Sequence, residues 1–529
     1  MGVICDVLSN KNSLPIDIQI FDYKQCFDSL WLQECLSDLY SSGVNDDKLA
    51  LLYNINTHVK VAVKTPVGKT HRESIFNVIT QGDVFGPILC SNQVDTFGKE
   101  CLEEGRYTYA YKGEVDIPHL GIVDDLVCIA ECGPKTAMVN SYINQKTSSK
   151  KLQFGASKCK KLHVGHSRKD YMCQDLKVEH WGDVEIKNDE SGDIEVQDIF
   201  EGEKVMDETL DEKYLGDVIS NDGRNIKNIK ARLAKGKGIV KQIINMLEGI
   251  PFGKHYFEVG VLLRDSLLVS SVLFNAEAWY NMTAAELNLV ETIDISLLKQ
   301  ILNAPRGTPK EMIYLELGCI PLREIIREKR LRFLHYILNS DPKSIVHRFF
   351  ISQMKHKTKK DWVTTVLNDL KLLDLDHLTM DNITEMKKTS YIHLIKQKIQ
   401  EYTFAFLDEL KKSHSKVEKI EHSGIQIQKY LQPNSIQMIK EEAQLIFKLR
   451  CRVTNIKVNL KGKYDTLECG ACGNYEENQK HIIFCEELNE NKDVENMNYE
   501  KLFNGTVEEK VKIAKHFKEN FDKLENWKK

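Results

Sequence analysis

The stretch Leu120-Gly121-Ile122-Val123-Asp124-Asp125-Leu126-Val127-Cys128-Ile129 restricts the fold of this chain more than any other. Two adjacent carboxylates stand between short apolar runs. The runs read as two short strands, with the aspartate pair at or near the turn joining them. Carboxylates beside buried strands repel each other and lose hydration, so they require a compensating cation. A hard divalent ion such as Mg²⁺ takes oxygen ligands of this kind. A solvated Asp-Asp turn is the competing reading. A third carboxylate on another strand would separate the two.

Upstream, Ile16-Asp17-Ile18-Gln19-Ile20-Phe21 reads as a strand ending at Asp22. Leu32, Cys35, Leu36 and Leu39 then fall at helical spacing, and Gly43 stops that helix. Asp22 therefore sits at a strand's C-terminal end, where ligand-binding groups commonly lie. Val59, Val61 and Val63 alternate with Lys60, Ala62 and Lys64, which predicts a half-exposed strand with a basic outer face. Thr80 to Pro87 is a Gly-rich turn, with Pro87 placed for the first turn of the next helix. Phe154 to Lys160 is a basic turn before the short strand Leu162 to Val164.

Length and composition limit what such a site can belong to. The chain has 529 residues, enough for three or four domains with their own cores. A formal net charge of -4 gives no global basic signal, so any nucleic-acid surface must be local. The fourteen cysteines form no disulfide-like framework and no signal peptide is evident, which points to a reducing, intracellular setting, nucleus or cytoplasm. No membrane partner is expected: the most apolar run, Val259 to Tyr280, is interrupted by Arg264, Asp265 and Glu277.

Beyond residue 170 the chain changes character. Residues 171–213 form an acidic insert: between Asp183 and Glu212 thirteen acidic residues face only Lys187 and Lys204. Val184, Ile186, Ile194 and Val196 alternate there, predicting a short hairpin on a solvated excursion. Residues 214–338 are helical. Ile226, Ile229, Leu233, Val240, Ile244 and Leu247 mark a core face, and Arg224, Lys227, Lys230, Arg232, Lys235, Lys237 and Lys241 a basic one. Tyr256 to Tyr280 reads as a buried helix. After the break at Gly318 to Leu322, Arg323, Arg327, Arg330 and Arg332 define a second cationic face. Such faces either track a phosphate backbone or are solvated surface. Residues 339–455 show helical periodicity without a motif. Residues 456–490 hold Cys469-Gly470-Ala471-Cys472, His481 and Cys485, and this Cys-x2-Cys-x8-His-x3-Cys spacing suits a closed tetrahedral Zn²⁺ site. Arg450, Arg452, Lys457, Lys461 and Lys463 precede it, so the module is a candidate for gripping nucleic acid. Residues 491–529 read as a helical tail.

Taken in order, Asp22-Tyr23-Lys24-Gln25-Cys26-Phe27-Asp28, Gln81-Gly82-Asp83 with Pro87, Val123-Asp124-Asp125, Lys158-Cys159-Lys160 and Tyr214-Leu215-Gly216 resemble the palm motifs of a non-LTR retrotransposon reverse transcriptase. The Cys-Cys-His-Cys element is similar to the one in which such enzymes often end. The resemblance implies an α+β fold: a right-hand polymerase palm with an antiparallel sheet over residues 1–170, a helical thumb over 214–338 and a small zinc-binding module. It implies an RNA-directed DNA polymerase working on an RNA template, a DNA primer and deoxynucleoside triphosphates. Asp22 and Asp124 would hold two Mg²⁺ ions, with Asp125 the less direct third carboxylate and the Tyr23 carbonyl a backbone ligand. Phe27 would crowd the sugar 2′-position, Gln81 and Gly82 would lie over the incoming nucleotide, and Lys158 would meet the triphosphate. Ile122 departs from the pattern, since many relatives carry Tyr or Phe there. The family's fingers and endonuclease regions are expected upstream of the first palm motif, so the sequence reads as an N-terminally truncated portion. The rival expectation is an inactive remnant that at most binds nucleic acid.

Overall fold

The computed structural model describes the chain except for residues 1, 10–13, 25, 58, 76–78, 80–83, 166–174, 189–193, 252–254, 434–437, 461, 490–496 and 528–529. It is a mixed α+β protein of two compact units. The first comprises residues 1–227 and 340–363, the second residues 228–339 and 364–529. Among the described residues no helix is long and apolar enough to cross a membrane.

The first unit is built on a sheet whose central strand, β1 (Ile16–Asp22), is buried along nearly its whole length. Helix α1 (Gly86–Glu104) starts with Pro87 in its first turn, where a missing N–H costs nothing. Strands β2 (His119–Ile122) and β3 (Asp125–Glu131) form the expected hairpin, and α2 (Pro134–Ser149) follows. Then comes β4 (Lys160–Val164). Strands β5 (Lys177–Asn188) and β6 (Ile194–Val205) pair in a separate ribbon, and β7 (Asp207–Glu208) joins the sheet edge. The sheet order is β7-β4-β1-β3-β2, antiparallel except for the β4–β7 pair.

Alternation along β1 gives the sheet two covered faces. Ile16, Ile18 and Ile20 pack with Val127, Ile129, Leu162 and Tyr111 on one side. Phe21, Leu126, Cys128 and Ala130 pack with Val139, Tyr142 and Ile143 of α2 on the other. Two expectations change here. The half-exposed strand at 59–63 is only Val59–Val61, in a two-stranded ribbon with Glu73–Ile75. The acidic insert is not wholly solvated: Leu176, Val178 and Met206 at its root are buried in the sheet's core. Its acids Asp207 and Glu208 meet Lys160 at 2.7 Å and Lys161 at 3.2 Å.

The second unit is helical, and a large core joins residues from Ile229 to Ile326 with residues from Leu407 to Leu524. Helix α3 (Ile226–Glu248) buries Ile229, Leu233, Val240, Ile243 and Leu247. Tyr256 to Tyr280 is not one regular helix: Arg264–Val269 winds as a π-helix. Arg264, 1% exposed, forms a two-pronged pair with Asp294 of α4 (Ala284–Ile301) at 2.6 and 2.7 Å. The apolar run thus hides a fully paired charge. Helices α5 (Lys310–Leu317) and α6 (Leu322–Leu338) follow, separated by Gly318 at φ +64°, where a Cβ would lie 2.4 Å from the Ile427 nitrogen.

Helix α7 (Lys388–Lys412) enters this core at Leu407, and the Cys/His segment and the tail contribute to it as well. Glu316 of α5 receives Arg450 at 2.9 Å and Tyr430 at 2.6 Å, and Arg450 also donates to the Leu502 and Phe503 carbonyls. One buried guanidinium therefore ties α5 to the end of α8 (Lys440–Arg450) and to the short helix Lys501–Asn504. Arg450 is accordingly not part of an exposed basic surface. The cationic face of α6 is likewise spent inside the unit. Arg330 pairs with Asp369 at 2.7 Å, Arg327 with Asp369 at 2.9 Å, and Arg323 with Glu291. Of the four arginines Arg332 keeps the most exposed side chain, at 47%. Arg232 of α3 is also buried, its guanidinium 4.8 Å from the Phe274 ring centroid.

Candidate active site and metal centre

Register brings the sequence-separated acids together. Asp22 closes β1 directly opposite Asp125, the first residue of β3. Ile122 pairs with the same Asp125, leaving Val123 and Asp124 as a two-residue turn. Such turns match strand twist when the first turn residue is left-handed. Val123 takes φ +59°, a conformation that a β-branched residue rarely adopts. The hairpin therefore holds local strain at the point that presents Asp124.

Burial raises the Asp125 carboxyl's pKa, and the charges of Asp124 and Asp22 raise it further. The third group arrives on the loop before β4. The Gly155 N–H donates to the Asp22 carbonyl at 2.8 Å, and a tight turn returns the Lys158 N–H to the Gly155 carbonyl at 2.7 Å. The Lys158 ammonium then donates to Asp22 Oδ1 at 3.0 Å. That bond, together with the charges of Asp22 and Asp124, raises the lysine's pKa. A Cβ on Gly155 would touch Asp22 Oδ1 at 3.4 Å, so the loop approaches the carboxylate closely. Three carboxylates against one ammonium leave a local excess of negative charge, but their oxygens are not one of the ligand groups that converge within 4.8 Å among the described residues.

The other expected residues divide. Tyr23 is buried, its ring stacked on Phe154 at 4.9 Å, and burial raises its phenol's pKa. Phe27 is half-buried in the short helix Cys26–Ser29. A Cβ on Gly86, at the start of α1, would lie 3.4 Å from its ring. Gln81 and Gly82 lie outside the described residues.

A groove of about 830 Å³ runs beside the hairpin, which the sequence did not announce. Pro87 and Ile88 of α1, Leu120 to Val123 of the hairpin, and Tyr214-Leu215 line it. Tyr214 donates to the Leu120 carbonyl at 3.2 Å, and burial beside Asp125 pushes its hydroxyl up to about 12. Ile88 and Ile122 are more than half exposed there, an apolar wall next to the acids.

In the second unit, Cys469, Cys472, His481 and Cys485 place one ligand atom each within 4.8 Å of one another. The first pair sits on a knuckle closed by the Gly473 N–H donating to the Cys469 carbonyl, with Gly473 at φ +67°. His481 lies in helix α9 (Gln479–Phe484), capped by Asn478, and its Nε2 is 3.2 Å from the Cys472 sulfur. Burial lowers the imidazole's pKa, which favours the neutral, metal-binding form. Helix α10 (Val507–Trp527) braces the site: Asn520 donates to the Ile482 carbonyl at 2.9 Å, and a His516 ring nitrogen lies 3.1 Å from the Ile483 carbonyl. The donor set is the one a closed zinc site uses.

No protein-family model matches this chain, and no curated protein matches it.

Proposed function

We propose that the chain is an RNA-directed DNA polymerase of the non-LTR retrotransposon kind, adding deoxynucleotides to a primer 3′-hydroxyl. One observation carries the reading: Asp22 faces Asp125 in register, Asp124 occupies the adjoining turn, and Lys158 reaches Asp22 from a third segment. In this reading Asp22 and Asp124 would hold a pair of Mg²⁺ ions, for which carboxylate oxygens are suitable ligands. When bound, those ions activate the hydroxyl and neutralise the leaving pyrophosphate. Asp125 is the less direct third carboxylate of the site. Lys158, reaching Asp22 at 3.0 Å, stabilises the leaving phosphates or returns a proton to them in this reading. Phe27, beside the start of α1, acts as the wall that admits a deoxyribose and rejects a 2′-hydroxyl. The groove lined by Ile122 and Tyr214-Leu215 is the place for the primer end.

In this reading the sheet carrying the acids is the palm, helices α3 to α6 within residues 214–338 supply the thumb, and zinc at Cys469, Cys472, His481 and Cys485 fixes the zinc-binding module. The test is primer extension on poly(rA)/oligo(dT) with Mg²⁺. The unaltered chain incorporates dTTP, and Asp124→Asn abolishes incorporation while circular dichroism stays the same. Equal extension by both proteins overturns the reading. Template binding without any incorporation assigns the chain to the nucleic-acid-binding remnant.

A further inference from the structure

At the end of the sheet remote from the aspartate hairpin, three strands converge on a second set of ligand atoms. Asp17 lies on β1, His163 is its direct cross-strand partner on β4, and Cys132 follows the end of β3. The Cys132 N–H donates to the Pro15 carbonyl at 2.9 Å, which fixes the thiol beside β1. One oxygen, one sulfur and one nitrogen from these residues all lie within 4.8 Å of one another. Asp17 is five residues from Asp22, about 17 Å along an extended strand. The cluster is therefore separate from the acids of the proposed polymerase site.

The geometry does not fit a nucleophilic Cys–His–Asp relay. In such a relay the thiol and the carboxylate occupy opposite ring nitrogens. Here both address the same one: Asp17 Oδ1 is 3.0 Å and the Cys132 sulfur 3.2 Å from His163 Nδ1. A single ring nitrogen carries one proton or one lone pair, so the thiol and the carboxylate crowd the same site. A cation placed between the three atoms satisfies all of them.

A second observation points the same way. Asp17 is fully buried, yet its Oδ2 has no hydrogen-bond partner. Two positions along the same face, Gln19 is also fully buried and its Oε1 lacks a partner. Gln19 spends its amide on the Thr136 carbonyl at 3.3 Å. Two unpartnered acceptor oxygens under α2 are costly, and each is an oxygen that a metal ion attracts. The neighbouring lysine is not free to answer, since Lys161 is paired with Glu208 at 3.2 Å. The His163 side chain is 20% exposed, which leaves a path from solvent.

We infer that Asp17, Cys132 and His163 form a zinc site, with the imidazole Nδ1, the thiolate and the carboxylate as ligands and the fourth place open to water or to the second carboxylate oxygen. A mixed nitrogen, sulfur and oxygen set suits zinc over harder ions. Binding displaces the thiol proton to solvent. The ion cross-links β1, the end of β3 and β4 at one end of the sheet.

The test is metal counting on the full chain, stripped with chelator, reloaded with Zn²⁺ and dialysed. Cys132→Ala loses one zinc equivalent relative to the unaltered chain, while Cys472→Ser loses a different one, so the double variant falls lower than either. An unchanged zinc content in Cys132→Ala overturns the inference, whatever Cys472→Ser does. Should Cys132→Ala fail to fold, ¹¹³Cd magnetic resonance of the unaltered chain decides. A one-sulfur cadmium resonance, well separated from that of a three-sulfur site, supports the assignment. Its absence at saturating cadmium overturns it.

Discussion

Asp22 and Asp125 are direct cross-strand partners, so two carboxylates face each other at the end of the central strand pair. Like charges opposite one another destabilise a sheet. The first unit therefore holds a repulsion that Lys158 relieves only in part.

Removing one of the two charges should stabilise the unit when no divalent ion is present. We expect Asp125→Asn to gain about 0.5–1 kcal/mol in chelator, read by urea denaturation. Added Mg²⁺ should narrow the gap. Acid should narrow it too. The folded Asp125 pKa is raised, so its stabilising share is complete below the ordinary aspartate pKa and fades as pH rises through the raised value. A gap that does not change with either Mg²⁺ or pH contradicts this account.

Glu316 behaves in the opposite sense. Burial alone would raise its pKa, but Arg450, His422 and Tyr430 outweigh that and hold it at about 2. Its stabilising share is present above the ordinary glutamate pKa of about 4.3 and is lost as pH falls toward the folded value. The second unit should thus lose stability steeply in strong acid. Glu316→Gln, which leaves Arg450 buried without a counter-charge, should cost about 3–5 kcal/mol at neutral pH and flatten that acid dependence. Denaturant titrations across pH check both.

The arginines of α6 should separate into two kinds. Arg330→Ala strips Asp369 of a buried partner and should cost about 3–5 kcal/mol. Arg332→Ala should change stability by no more than about 0.5 kcal/mol. Where this face tracks a phosphate backbone, Arg332→Ala should also weaken nucleic-acid binding and reduce its salt slope by about 1. Thermal unfolding and salt-dependent binding measure the two effects.

The tail should matter to the metal. Asn520 is fully buried and bonds the carbonyl of Ile482 beside His481. Asn520→Ala should cost about 1–3 kcal/mol. It should also speed zinc release to a colorimetric chelator from the Cys469 cluster. Release at the unaltered rate would show that α10 does not brace the ligands.

What the sequence determined was local. Apolar alternation fixed β1 and the hairpin, Pro87 fixed the start of α1, and cysteine spacing marked the four-ligand cluster, because period and turn chemistry act over a few residues. Tertiary structure decided which charges are solvated. Arg330 and Arg450 look like surface residues in a helical pattern and Arg264 like an interruption of an apolar run, yet each is buried against an acid 30 or more residues away. The same holds for Asp17, which alternates with isoleucines like an outward-facing residue until α2 covers it and β4 brings His163 alongside. Periodicity reports where apolar side chains point. Only the packed chain says what a polar one meets, because the partner that makes its burial tolerable comes from a distant segment.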